Sequence, residues 1–409
     1  MSTSQGLSPE EEQLRRRLTL PLLILYGLGV TVGAGIYVLV GTTAAHAGTY
    51  APVAFLAAAI VVSFTGFSYA ELSARFPVSA GEAAYVRAGL RSKQLALLVG
   101  LLVASVGIIS SAAIMVGASA YLQDLTHVDS RILTFVIAIG LGGVAILGVL
   151  ESVTMAAVFT VLEIIGLLLV LGYGITHHAE IVTELHQLIP PIDGEAWLGI
   201  GAATLLAFFA FVGFEDLANI AEEAIDPDRN MPKAIVWTLV LATLLYLAVV
   251  SVVVLSVPID NLSQSAAPLN LMFTDASPAL RGSFNLIASV ATLNGVLIQM
   301  IMSSRVIYGL SRQNQLPKQL GYVHPKMKTP VMSTCLVVTI VLVLSMFIDI
   351  ERLATLTSQV ALAIFAIVNL SLIFLKRRED HRGAGFQVPM IVPISGLISC
   401  IGLFAFGIT

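Results

Sequence analysis

"GVTVGAGIYVLVG", residues 29–41, lies in an apolar stretch that carries no Asp, Glu, Lys or Arg from Leu18 to Ala45. That stretch is long enough to cross a bilayer as a helix, which takes about 20 mostly apolar residues. Yet four of these thirteen residues are glycine, and each Gly inside a helix costs about 1 kcal/mol relative to Ala. Two readings follow. The glycines serve close helix packing, or the helix opens there, which at membrane depth is tolerated only against protein or a water-filled cavity.

The rest of the chain sets the context. Of 409 residues, 57% are hydrophobic and 11% charged, against about 25% charged in soluble domains. A chain so poor in charge cannot cover a water-facing surface, so the class is integral membrane. Eleven apolar spans are expected, near 19–46, 50–72, 94–122, 132–150, 152–176, 197–222, 232–257, 282–308, 330–348, 352–375 and 387–408. Backbone groups in lipid must be satisfied within the segment, so these are helices; the period-2 alternation of a β-barrel is absent. With the N-terminus inside, 18 of the 21 Lys and Arg fall in inner segments, leaving only Arg131, Arg281 and Arg352 outside. That bias orients the chain and puts the C-terminus outside.

Other classes find little support. The net charge of −4 and the lack of a basic patch argue against nucleic acid. Cys335 and Cys400 fall in apolar runs and read as packed thiols. No Cys/His cluster has zinc spacing, so neither a metal site nor a cofactor is expected. An enzyme would need a nucleophile–base pair or metal ligands at depth, and a channel has no need of two breaks around an enclosed site.

The second break is in span six, "LLAFFAFVGFEDLANIAEE", residues 205–223. Gly213 is followed by Glu215 and Asp216 inside an otherwise apolar helix. Gly33 and Gly213 each lie in the first helix of a five-helix set, and the two sets run in opposite orientation. Interrupted segments at matching positions of two halves point to an inverted-repeat transporter and its binding site. A broken helix offers free N–H groups to a carboxylate and free C=O groups to an ammonium.

Four blocks together resemble the amino acid–polyamine–organocation superfamily, in particular its bacterial branch similar to cationic amino acid transporters. They are the 29–41 segment, "YAELSARFPVSAGEAAYV" (69–86), "FFAFVGFEDLANIAEEAIDPDRNMPKAI" (208–235) and "SRVIYGLSRQNQLPKQLGYVHPKMKTP" (304–330). The resemblance covers about residues 15–380. It implies an all-α, LeuT-like fold with broken helices 1 and 6. Its parts are a cytoplasmic tail (1–18), a first repeat (19–176), an extracellular loop (177–196), a second repeat (197–378), and a cytoplasmic loop with a peripheral eleventh helix (379–409). It implies uptake or exchange of amino acids, sometimes polyamines, across the cell membrane. Carried over by position, the backbone of Thr31, Val32, Gly33, Ala34 and Gly35 holds the substrate carboxylate and part of its amine. Phe208, Phe209, Ala210 and Phe211 hold the rest, beside Val212. Phe209 occupies the position of a gating Trp in related arginine–agmatine antiporters, and Glu215 matches an acid found there.

These pocket residues are small or apolar and favour a neutral substrate, while Glu215 keeps a cationic amino acid or polyamine open. Span five carries Glu163 near its middle, where many relatives resembling this chain have a Lys that bridges to span one. Intramembrane acids usually face a cavity and often handle protons. Glu163 is therefore the expected proton-coupling site, with Glu215 second. A structural Glu163 that bonds a neighbouring helix, and a role in binding substrate ammonium, stay open. Ser303 and Ser304 resemble a hydroxyl pair that holds sodium in related folds, although serines in membrane helices often serve packing alone. Sodium coupling and exchange thus remain alternatives to proton symport, and oligomeric state is not legible.

Overall fold

The computed structural model describes residues 16–78, 81–147, 153–178, 181–327, 329–378 and 385–408, and only the backbone of Ala34, residues 153–155 and Val182. Most of the tail 1–18, the end of the fourth span, the loop over 379–384 and Thr409 lie outside the described residues. The chain forms α1 (Leu20–Ala47), α2 (Ala51–Arg75), α3 (Gly81–Leu90), α4 (Lys93–Thr126), α5 (Ser130–Leu147), α6 (Val153–His177) and α7 (Ile181–Glu184). It continues as α8 (Gly194–Phe209), a 3₁₀ segment (Phe214–Glu223), α9 (Pro227–Ser256), α10 (Ile259–Gln264), α11 (Pro278–Arg312), α12 (Val331–Phe347), α13 (Ile350–Arg377) and α14 (Ile391–Phe406).

Eight stretches are long and apolar enough to cross a membrane; one of them, Leu20–Arg75, holds both α1 and α2, and α12 and α14 are shorter apolar helices. Among the described residues these make eleven segments, matching the eleven expected spans. Hydropathy sets where they lie, and local chemistry sets where they stop. Ser92 caps α4 by accepting the Leu95 N–H, and Asp349 caps α13 by accepting the Arg352 N–H, each satisfying an otherwise orphaned helix-start donor. Gly48, with φ +57°, turns the chain at the end of α1.

Counterpart helices of the two five-helix sets pack on each other: α1 on α8, α2 on α9, α4 on α11, and α5 on α12. α1 runs through the middle of the bundle, against α6, α8, α9 and α11. The outer faces are apolar; α5 exposes Ile132, Phe135, Val136 and Ile139. In water such a face would be a liability; facing lipid it is expected. Cys335 also lies on an exposed face, contrary to its expected packing, whereas Cys400 is buried.

One end of the bundle carries Arg75, Lys93, Arg312 and Lys376 at helix termini. There the chain before α1 pairs with the chain after the 3₁₀ segment: Leu18 N–H donates to Glu223 O at 3.0 Å, and Ile225 N–H to Leu18 O at 2.9 Å. Close by, fully buried Glu71 of α2 pairs with Arg75 on the same helix and with Lys376 of α13 at 2.7 Å. It also accepts the Val388 N–H at 2.8 Å, while Lys376 donates to Val388 O at 2.7 Å. Glu71 thus fastens α13 and the segment leading into α14 to α2. Two cations and a backbone donor offset the cost of burying this carboxylate; removing one partner of such a pair costs about 3–5 kcal/mol.

Candidate functional site

Span six is interrupted as expected. α8 ends at Phe209, and the next N–H groups tighten to three-residue spacing: Ala210 to Ala207 O, Phe211 to Phe208 O, and Val212 to Phe209 O, at 3.0–3.1 Å. Such 3₁₀ turns mark strained or functional points in helices. Gly213 adopts φ +122°, a region that only glycine enters at low cost. The groups freed by the break have partners. Glu215 accepts the Gly213 N–H at 2.8 Å, and the Tyr246 hydroxyl of α9 lies 2.8 Å from Ala210 O.

Span one differs from expectation. α1 is continuous from Leu20 to Ala47, with no break at Thr31–Gly35. The physical reason is a balance of costs. Each glycine weakens the helix by about 1 kcal/mol, but a backbone group freed into an apolar interior without a partner costs several. Span six has Glu215 to take a freed N–H, and no acidic side chain follows residues 31–35 to do the same. The glycines of α1 serve close approach instead. A Cβ on Gly33 would stand 2.8–2.9 Å from the Glu163 carboxyl, and one on Gly35 would collide with the backbone of Ala210.

The two glycine-bearing segments meet side by side. Gly213 lies against Val30 O and Gly35 against Ala210. The Tyr246 hydroxyl is 2.8 Å from both Thr31 O and Ala210 O, one proton shared between two acceptors. Phe211 packs edge-on against Tyr246, with centroids 5.1 Å apart, and Phe208 packs against Phe365. Tyr246→Phe leaves both carbonyls short of a donor in a sealed interior. It is expected to destabilise the fold by about 1–3 kcal/mol, read as a lower melting temperature of the purified protein. An unchanged melting temperature would show that the bridge does not hold the two segments together.

A small cavity of about 10 Å³ lies between α1, α4, α8 and α11, with Thr31, Gly35, Phe209 and Val212 among its walls. Of the other residues expected here, Val32, Phe208, Ala210 and Phe211 are buried, but they do not line it. The volume admits about one water-sized group, so the walls must part for anything larger. On the side away from the basic end, Tyr37, Tyr121, Phe284 and Phe273 form a buried aromatic cluster. Towards the basic end, Gln299 Nε2 of α11 donates to Asp216 Oδ2 at 3.2 Å.

Glu163 is fully buried on α6. Its Oε1 accepts from Asn294 Nδ2 of α11 at 3.0 Å, its backbone carbonyl accepts from the Tyr37 hydroxyl at 2.6 Å, and its Oε2 has no hydrogen-bond partner. The carboxyl sits against Gly33, on the far side of α1 from the cavity; residues two apart on a helix lie about 200° round it. Ser303 and Ser304 are not brought to this place. Ser303 Oγ packs on Gly107 of α4, and Ser304 Oγ donates to Ile301 O at 2.8 Å.

Outside the spans, Glu82 of α3 is also buried. Burial raises its carboxyl to about 7, opposed by its own backbone N–H; the Asp216 charge adds to the rise, and the Tyr69 hydroxyl, at 3.3 Å, counters it. A raised folded value stabilises below the unfolded one, and that stability is lost as pH rises through about 7. Glu82→Gln is therefore expected to flatten the fall in melting temperature between pH 5 and 8. A variant with the wild-type slope would show that another group sets it.

Tyr246, Asn294 and Gln299 were not anticipated from sequence. The available signal was an amide or phenol isolated within an apolar span.

Residues 18–409 match the amino acid permease family. The chain is similar to the branched-chain amino acid permease BcaP of Bacillus subtilis, 27% identical over 96% of this chain and 88% of that protein. It is similar to the methylthioribose transporter of the same organism, 28% identical over 95% of this chain and 87% of that protein. It also resembles the mitochondrial cationic amino acid transporter 3 of Arabidopsis thaliana, 29% identical over 89% of this chain and 63% of that longer protein.

Proposed function

The chain belongs to the amino acid permease family, a family of carriers rather than enzymes, and on that premise we propose that it is a proton-coupled secondary transporter of small or neutral L-amino acids. It works by alternating access across the cell membrane, with the N-terminus inside and residues 19–176 and 197–378 as its two repeats. The relatives named for branched-chain and cationic amino acids support an amino acid substrate. The observation that carries the coupling is Glu163. Its carboxyl is sealed against Gly33 on one face of an α1 turn whose other face, at Thr31 and Gly35, lines the cavity. One carboxyl oxygen is held by Asn294 and the other is free to carry a proton. Opening that turn to expose its backbone to substrate necessarily disturbs the Glu163 contact, so proton and substrate act on one element from two sides.

A proton is favoured over sodium by the placement of the serines. Ser303 lies nine residues beyond Asn294 on α11, roughly half a turn round and about 13 Å along, away from Glu163 and α1. A neutral substrate is favoured because Glu215 already accepts the Gly213 N–H.

The test is uptake by liposomes containing the purified carrier, using a panel of amino acids and polyamines, with and without an imposed proton gradient, in sodium and in sodium-free medium. Gradient-driven accumulation that needs no sodium supports the reading. Uptake that follows sodium and ignores the proton gradient refutes it.

A further inference from the structure

The cavity has a polar corner. Thr31, Ser110 of α4 and Gln299 of α11 all line it, and all are more than nine-tenths buried. Thr31 Oγ1 has no hydrogen-bond partner, so its proton and lone pairs are unclaimed. Ser110 directs its proton to Gly107 O at 3.3 Å, leaving its oxygen as an acceptor. Gln299 donates from Nε2 to Asp216, which fixes the amide so that Oε1 is the remaining acceptor. The rest of the wall here is Ile114, Ile298 and Gly295. The corner therefore offers the Thr31 hydroxyl as a donor and the Ser110 and Gln299 side-chain oxygens as acceptors, in a space for about one water-sized group.

We propose that Thr31, Ser110 and Gln299 form the side-chain subsite of the carrier, and that it selects amino acids with a small hydroxyl side chain, serine before threonine, over alanine and the branched aliphatic ones. The inference rests on the amino acid carrier reading. If the substrate's charged ends face the backbone of α1 and of the span-six break, its side chain is left facing α4 and α11. A serine hydroxyl is water-sized, accepts from Thr31 and donates to Gln299 Oε1. Alanine leaves both groups unpaired in a buried place. Valine or leucine leaves them unpaired and also pushes the wall outward. A site built to hydrogen-bond a hydroxyl rejects the analogue that lacks it far better than an apolar site rejects an extra methylene.

The test is liposome uptake by the full chain, with kcat/KM measured for serine, threonine, alanine, valine and leucine. Serine is expected to exceed alanine by about tenfold, the worth of one buried neutral hydrogen-bonded hydroxyl. Thr31→Val, close in shape and lacking the hydroxyl, is expected to bring the serine-to-alanine ratio near one; Thr31→Ser is expected to keep it. Gln299→Leu is expected to lower the same ratio and to raise that of valine to serine. These are ratios within one preparation, so poor folding of a variant does not mimic them. A wild-type preference for alanine, valine or leucine, or a ratio unmoved in Thr31→Val, overturns the subsite while leaving the carrier reading intact. Uptake of no amino acid at all refutes the carrier reading, and the subsite with it.

Discussion

Glu163→Gln is expected to abolish proton-driven accumulation while sparing exchange. The substitution keeps the shape of the side chain and an oxygen for Asn294 Nδ2, which lies 3.0 Å from the present carboxyl. It removes the capacity to bind and release a proton. One proton moving down roughly 100 mV releases about 2.3 kcal/mol, enough to concentrate a neutral substrate about fiftyfold. In the variant the accumulation ratio is expected to fall to about one under the same gradient, because the gradient no longer has a group to act on. Counterflow of labelled substrate against internal unlabelled substrate needs only the carrier's binding and reorientation, and is expected to persist. The paired measurement separates two roles for this residue. A Glu163 that only bonds α11 predicts that accumulation and its pH profile survive; a Glu163 that binds the substrate amine predicts that counterflow is lost as well.

What could be read from sequence, and what could not, divides along physical lines. The spans were legible because hydropathy over some 20 residues integrates a large transfer energy, and local errors average out. The break at Gly213 was legible because glycine and two acids within one apolar helix leave few other arrangements. The depth of Glu163 was legible for the same reason. The state of α1 was not. Whether "GVTVGAGIYVLVG" opens depends on whether a side chain elsewhere can take the freed backbone groups, and its glycines answer to Glu163 and Ala210, more than 100 residues away. The roles of Tyr246 and Asn294 are illegible on the same grounds. Asn294 meets Glu163 across 131 residues, and Tyr246 meets Thr31 across 215. One polar residue in an apolar span has no local partner to reveal its purpose. The serines show the converse: Ser303 and Ser304 carried a motif, but the turn of α11 delivers Ser303 to Gly107 rather than to α1.

Gly213→Ala is expected to disable the carrier by two independent routes. The residue's φ of +122° and ψ of −24° lie outside the left-handed helical region, so a side chain there strains the backbone by about 1–3 kcal/mol. Separately, a Cβ would stand 2.7 Å from Val30 O and 2.9 Å from Val30 Cγ1. The nearer atom belongs to the backbone of α1, so trimming the Val30 side chain cannot relieve the contact; α1 itself would have to move. The Glu215 bond to the Gly213 N–H, 2.8 Å long, resists the alternative of moving the break. Together these costs approach a large share of a typical net stability of about 5–15 kcal/mol. The purified variant is therefore expected to melt several degrees lower and, with α1 displaced from the break, to transport more slowly than the wild type. Asn, which tolerates left-handed backbone better than Ala, tests whether a conventional left-handed turn can stand here. At this φ and ψ, and with a Cβ of its own, Gly213→Asn is expected to fare no better than Gly213→Ala. Recovery in the Asn variant would mean that a conventional left-handed turn serves in place of the observed one and that α1 and the break are not in contact. Wild-type melting and transport in both variants would mean that span six does not hold this break at Gly213 at all.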